Sequence, residues 1–124
     1  GGARFVATNL DPTYPSEEGL LPGTGSMIVA LEAASGVKPM AIGKPEPTMY
    51  QLAMKHMGAT PQTTAVIGDR VDTDILGGKR AGIFTICVLS GSSYRAEAEA
   101  IETDLICEDI AHLLEIWTQE LTHS

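Results

Sequence analysis

The sequence predicts an α/β fold with a mostly parallel sheet flanked by helices. Short apolar, β-branched runs at residues 65–67, 84–89 and 105–107 alternate with segments of helical periodicity at 27–35, 48–57, 75–81, 94–102 and 110–121. Gly36 and Gly82 follow two of those segments, where a left-handed residue commonly ends a helix. At 124 residues the chain has the length of one domain and falls short of most complete α/β enzymes.

From the amino end, residues 4–9 read as a short strand. Pro12 and Pro15 forbid helix and central strand alike, so residues 11–16 read as a loop. Asn9 and Asp11, at the strand's end, are candidates to face a ligand, although such turn formers also satisfy local backbone groups. A second loop covers residues 20–26. Its Gly23-Thr24-Gly25 is like a fragment of a phosphate loop but follows no clear strand and lacks the lysine, so it reads as a turn with Ser26 as N-cap. Ile28, Leu31 and Ala34 recur at helical spacing over 27–35.

Residues 39–42 form a short strand, and Pro45 and Pro47 then fix the backbone after Lys44 and suit the first turn of the next helix. A lysine on so stiff a connection is aimed rather than wandering. In the helix over 48–57, Tyr50, Ala53, Met54 and Met57 give the apolar face, with Met49, Met54 and Met57 as core filler. His56 is a helix-end residue.

Ala65-Val66-Ile67 reads as a strand buried on both faces, and Gly68 lets the chain turn sharply at its end. Asp69 then stands at the carboxyl end of a strand, where ligands bind in open parallel sheets. Asp74 opens the helix over 75–81 and brings a second carboxylate to the same crevice, with Asp72 or Thr73 available as caps. Two or three hard oxygen donors close together suit Mg²⁺, which keeps waters or substrate phosphate on its other positions. Gly77 and Gly78 each cost about 1 kcal/mol inside a helix unless close packing requires them. The helix over 94–102 is acidic and alanine-rich, a surface helix. The last offers Leu113, Leu114, Ile116, Trp117 and Leu121 for packing.

A net charge of −8 and a pI near 4.7 argue against nucleic acid or an anionic membrane as partner. A small phosphorylated molecule stays open, because a metal and a lysine reverse the field locally. No apolar run approaches the roughly 18 residues of a membrane span. Cys87 and Cys107 lie in apolar runs and read as buried free thiols, which favours the cytoplasm. Lacking an initiator Met and entering an apolar run at residue 4, the chain is expected to start inside a fold.

Three separated segments then form one arrangement: Gly43-Lys44-Pro45-x-Pro47, Ile67-Gly68-Asp69-x-x-x-Thr73-Asp74-Ile75, and Gly78-x-x-Ala81-Gly82-x-x-Thr85-x-x-Val88-x-x-Gly91. They resemble the carboxy-terminal half of haloacid-dehalogenase (HAD) superfamily hydrolases, in the NagD-like and p-nitrophenylphosphatase-like branch. Phe5-Val6-Ala7-Thr8-Asn9-x-Asp11 and Leu21-Pro22-Gly23-Thr24-Gly25-Ser26 look like the end of that branch's inserted cap and its return to the core. The resemblance implies a Rossmann-like core and Mg²⁺-dependent transfer of a phosphoryl group from a small phosphoester to water. Lys44 matches the family's charge-stabilising lysine, Asp69 its metal-ligating carboxylate, and Asp74 the second acidic residue, which supports the metal or its waters.

One departure qualifies that match. The family's nucleophile is the first aspartate of an Asp-x-Asp-Gly segment, and these 124 residues contain none; Asp72-Thr73-Asp74 belongs to the other motif. The expectation is therefore a partial core without its amino-terminal half, with residues 1–25 as the cap's tail and return loop and 26–124 as the rest. Alone it should turn over little or nothing, because no aspartyl-phosphate can form. The alternative is a non-catalytic metal- or phosphate-binding or assembly module. A half sheet should expose the edge of the strand at 65–67 and associate into a homo-oligomer.

Overall fold

A computed structural model of the chain describes residues 1–122. The first unit is β1 (Val6–Ala7), a hairpin of β2 (Thr13–Ser16) and β3 (Gly19–Pro22), helix α1 (Thr24–Ser35) and β4 (Met40–Ala41). β1 and β4 pair in parallel, Val6 opposite Met40 and Ala7 opposite Ala41. The division expected at 25/26 falls in the first turn of α1, and β1 pairs with β4 across it.

The second unit runs α2 (Thr48–Met57), a 3₁₀ turn (Pro61–Thr63), β5 (Ala65–Gly68), a π-helical turn (Val71–Ile75), α3 (Leu76–Ala81), β6 (Phe84–Val88), α4 (Arg95–Ala100), β7 (Leu105–Cys107) and α5 (Ile110–Thr122). Its sheet is wholly parallel in the order β5-β6-β7, with Ile67 opposite Ile86 and Val88 opposite Cys107. Alternate residues of β6 serve opposite faces, as the pleat requires. Cys87 joins Val71, Ile75 and Ala98 on one side, while Ile86 and Val88 join Cys107 and Leu113 on the other. Both cysteines are buried free thiols. At the entry of β7, the Asp104 carboxylate accepts from the Thr85 amide at 2.8 Å and the Thr85 hydroxyl at 2.6 Å. Gly77 and Gly78 are there for close approach. A Cβ on Gly78 would stand 2.4 Å from Val66 Cγ1, and one on Gly77 2.8 Å from the Tyr50 ring.

Several local expectations fail for physical reasons. Residues 11–16 and 20–26 are not plain loops; they contain an antiparallel hairpin, Thr13 opposite Pro22 and Ser16 opposite Gly19. Pro15 is tolerated because an exposed two-stranded ribbon is all edge. Ser26 is not the N-cap. The helix starts at Thr24 behind Gly23, and the Ser26 hydroxyl donates to the Pro12 carbonyl at 2.6 Å. The small residues of Gly-Thr-Gly let two backbones cross: a Cβ on Gly25 would be 2.3 Å from the Leu10 carbonyl oxygen.

Asp72 and Thr73 make no side-chain cap, since the chain enters α3 through the π turn. β5 is not buried on both faces. It pairs with β6 alone, and Ile67 is 42% exposed. Of the methionines expected as core filler only Met54 is buried, while Met49 and Met57 face solvent. Along α5 Leu113 is buried and Ile116 packs beside it, whereas Leu114, Trp117 and Leu121 are exposed.

Candidate functional site

Three connections converge beyond the carboxyl ends of β1, β4 and β5, and the hollow between them is a cavity of about 360 Å³. Thr8, Asn9 and Asp11 line it from the segment after β1, Gly43 and Lys44 from that after β4, and Asp69, Arg70, Thr73 and Asp74 from the acidic turn. All five residues expected at a site therefore border one space. Gly43 permits the crossing of the first two segments, for a Cβ there would lie 2.1 Å from the Thr8 carbonyl oxygen.

Of the two cations that line this cavity, Lys44 and Arg70, it is Lys44 whose ammonium meets Asp74 Oδ1, at 2.5 Å. Pro45 and Pro47 bracket the turn after Lys44, and the Lys44-Pro45 peptide is cis. The other carboxylate oxygen of Asp74 accepts from the Arg70 backbone N–H at 3.2 Å. Asp74 is 8% exposed, and Gly68 makes room for it: a Cβ on Gly68 would stand 2.3 Å from Asp74 Cβ. A buried carboxylate needs such partners to stay charged.

Asp69 is held differently. Its Oδ2 accepts from the Ser92 amide and the Ser92 hydroxyl, each at 3.3 Å. Gly91 lies against it so closely that a Cβ would be 2.1 Å from that oxygen. Ser93, next along the same loop, accepts the Val71 N–H at 2.9 Å, so the loop after β6 supports both ends of the acidic turn's entry. No hydrogen bond from the described residues falls on Asp69 Oδ1. Burial, and then the Asp69 charge, push the Cys87 thiol up.

Asn9 and Asp11 border the cavity and also form a local turn, the Asp11 N–H donating to Asn9 Oδ1 at 3.1 Å. Arg70 is forked onto Asp72, Nε to Oδ1 at 3.2 Å and NH2 to Oδ2 at 2.8 Å, which takes Asp72 away from the cavity. Arg70 also lines two further hollows of about 510 and 540 Å³ that flank this one.

Mg²⁺ suits the donor set. Among the described residues no group of three His, Cys, Asp or Glu side chains converges, so an all-protein cage is not available. A divalent ion that takes one or two carboxylates and keeps its waters fits such a set. Asp69 Oδ1, to which none of the described residues donates, is an oxygen that could take a metal. Both oxygens of Asp74 are already engaged, by Lys44 and by the Arg70 amide.

Sequence reading missed Tyr50, Ser92 and Thr8 as neighbours of this site. Tyr50 looked like one more apolar-face residue of α2, yet its hydroxyl donates to the Asp74 backbone carbonyl at 3.1 Å. Burial, and then the Asp74 charge, push the Tyr50 phenol up to about 12. For Ser92 the available signal was Gly91, a small residue at the end of a strand.

Comparison with known proteins identifies the family. Residues 41–113 match the family described as HAD-hydrolase-like. The chain is similar to dihydroxyacetone phosphatase of Corynebacterium glutamicum, 44% identical over 94% of the chain and 43% of the relative, and to bovine (Bos taurus) chronophin, 41% identical over 90% and 40%. It thus spans about two-fifths of the length of these curated relatives. Among solved structures, p-nitrophenyl phosphatase from Archaeoglobus fulgidus superposes with a TM-score of 0.83 at 32% identity, covering 93% of this chain and 47% of that one. Glycerol phosphate phosphatase from Mycobacterium tuberculosis, solved in complex with magnesium, gives 0.78 at 40% identity, covering 90% and 35%. The same enzyme has been solved with calcium. With the family match spanning residues 41–113 and the fold of a solved p-nitrophenyl phosphatase superposing on the chain, the chain belongs to the HAD-like hydrolases, among their NagD-like and p-nitrophenylphosphatase-like phosphatases.

Proposed function

We propose that these residues form the lysine- and metal-bearing part of a phosphatase site that acts on small phosphoesters with Mg²⁺. The observation that carries the reading is the meeting of Lys44 and Asp74 at 2.5 Å in the cavity that Asp69 also borders. Bound Mg²⁺ would neutralise phosphoryl charge as a Lewis acid. Lys44, a cation fixed beforehand in a partly buried site, stabilises the negative charge that phosphoryl transfer spreads over the equatorial oxygens. Asp74 holds the lysine in place, and Asp69 offers its free oxygen to the metal. Asn9 and Asp11 border the same cavity, where they would contact the substrate.

No Asp-x-Asp-Gly occurs in the 124 residues, so on this reading the nucleophile is supplied from outside them. The isolated polypeptide then binds Mg²⁺ and inorganic phosphate without hydrolysing p-nitrophenyl phosphate. Calorimetric titration with Mg²⁺ and phosphate, alongside that assay, tests both halves. Ordinary phosphatase rates abolished by Asp69→Ala would overturn the second, and absence of Mg²⁺ binding the first.

A second reading, an assembly module, draws on the sheet edge. β5 pairs with β6 alone and leaves Ile67 at 42% exposure, so the edge is open to another chain, and a homo-oligomer formed through it is part of the proposal. Sedimentation showing a folded monomer at micromolar concentration would count against it. The two buried free thiols fit a reducing compartment, and we assign the protein to the cytoplasm. No described helix is long and apolar enough to cross a membrane.

A further inference from the structure

We infer that Tyr50 is a positioning residue for Asp74, a role that rests on the reading of the cavity as a phosphatase site. Segment 44–50 touches the acidic turn twice. Lys44 takes the carboxylate at one end, and six residues on the Tyr50 hydroxyl donates to the backbone carbonyl of the same aspartate at 3.1 Å. Side chain and main chain of Asp74 are thus both gripped from one rigid piece of chain.

That piece is itself pinned to α3. Arg80 donates to Glu46 at 2.9 Å and reaches the Pro45 carbonyl at 3.5 Å. The Tyr50 ring lies in the space left by Gly77, three residues beyond Asp74, where any side chain would strike it at 2.8 Å. Tyrosine and glycine therefore form a matched pair that sets how closely α2 approaches the start of α3.

The grip matters because of the turn it holds. Residues Val71–Ile75 form a π-helical turn, in which the Arg70 carbonyl accepts from both Asp74 N–H at 2.8 Å and Ile75 N–H at 3.2 Å. Such wide turns are rare and gather at functional sites. Here the widening carries Asp74 back under Gly68, where its Oδ2 accepts the Arg70 N–H. A hydroxyl on the Asp74 carbonyl restrains the residue at which the π turn passes into α3. Phenylalanine at position 50 keeps the ring on Gly77 and removes only the grip.

The test is Tyr50→Phe in the 124-residue chain, read by amide hydrogen exchange and Mg²⁺ calorimetry. The Arg70 amide, whose protection reports the Asp74 carboxylate, should exchange about 2- to 10-fold faster, the range one neutral hydrogen bond supports. The α2 amides should keep their wild-type rates, and Mg²⁺ affinity should weaken by a similar factor. If Arg70 exchange stays at the wild-type rate in the variant, the inference is overturned, whatever Mg²⁺ does. A lowered melting temperature with Arg70 exchange and Mg²⁺ affinity unchanged makes Tyr50 a packing residue and overturns it too. Faster Arg70 exchange in a protein whose wild type takes no Mg²⁺ supports the positioning role and removes the metal reading instead.

Discussion

Replacing Gly91 by alanine separates the positioning of Asp69 from the stability of the fold. Gly91 has no left-handed φ, so alanine meets no backbone penalty and the whole effect is contact. The new methyl would stand 2.2 Å from Asp69 Cβ, where ordinary contact begins at 3.4 Å, so about 1.2 Å of displacement has to be found. The Asp69 side chain cannot absorb it by rotating, because its Cβ is fixed by the backbone just beyond β5. Either the Gly91-Ser92 loop lifts or Asp69 moves, and both break the Ser92 bonds to Oδ2. Overpacking of this size costs about 1–3 kcal/mol, a fall in melting temperature of roughly 3–15 °C for a chain of this length. Site geometry is less forgiving. A ligand displaced by more than about 0.5 Å leaves the productive arrangement, so Mg²⁺ affinity should fall about tenfold or more. Circular dichroism gives the melting temperature and calorimetry below the transition gives the affinity. Wild-type Mg²⁺ affinity in Gly91→Ala would refute the reasoning, whatever the melting temperature did.

Other perturbations read other parts of the site. Lys44→Gln takes the cation from a carboxylate whose side chain is only 11% exposed and leaves at best an amide donor in its place, so it should cost about 1–3 kcal/mol in urea denaturation, while inorganic phosphate affinity falls about tenfold in a calorimetric titration. Asp104→Ala leaves the fully buried Thr85 amide and hydroxyl without their acceptor and should cost about 1–3 kcal/mol in urea denaturation. The Thr85 hydroxyl bond holds the Asp104 carboxyl below its ordinary range. Its stabilisation is therefore complete above the unfolded pKa and lost as pH falls through the lowered value, a slope that Asp104→Asn should flatten. Tyr50 works at the other end of the scale. With its pKa raised from 10.0 to about 12, its contribution is complete below pH 10 and disappears between pH 10 and 12, and alkaline unfolding of Tyr50→Phe should lack that component.

What could be read in advance and what could not divide along a physical line. Gly68-Asp69 announced a carboxylate at a strand end because the run before it is apolar and the glycine releases the turn, both local properties of the chain. Lys44 announced itself through two prolines. Neither signal says how a side chain is seated, since seats are made by residues distant in sequence: Gly91 for Asp69, Gly68 and Tyr50 for Asp74, and Thr8 beneath Gly43. The same distinction explains the errors in the fold. Proline counted against strand at 11–16 because the rule assumes neighbours on both sides, and the hairpin there has none. The run at 65–67 counted as doubly buried because apolar composition reports a capacity for burial, and β5 has one partner strand. Asp69 and Asp74 follow β5, so the open edge we propose as an assembly surface belongs to the strand that carries the chain into the cavity.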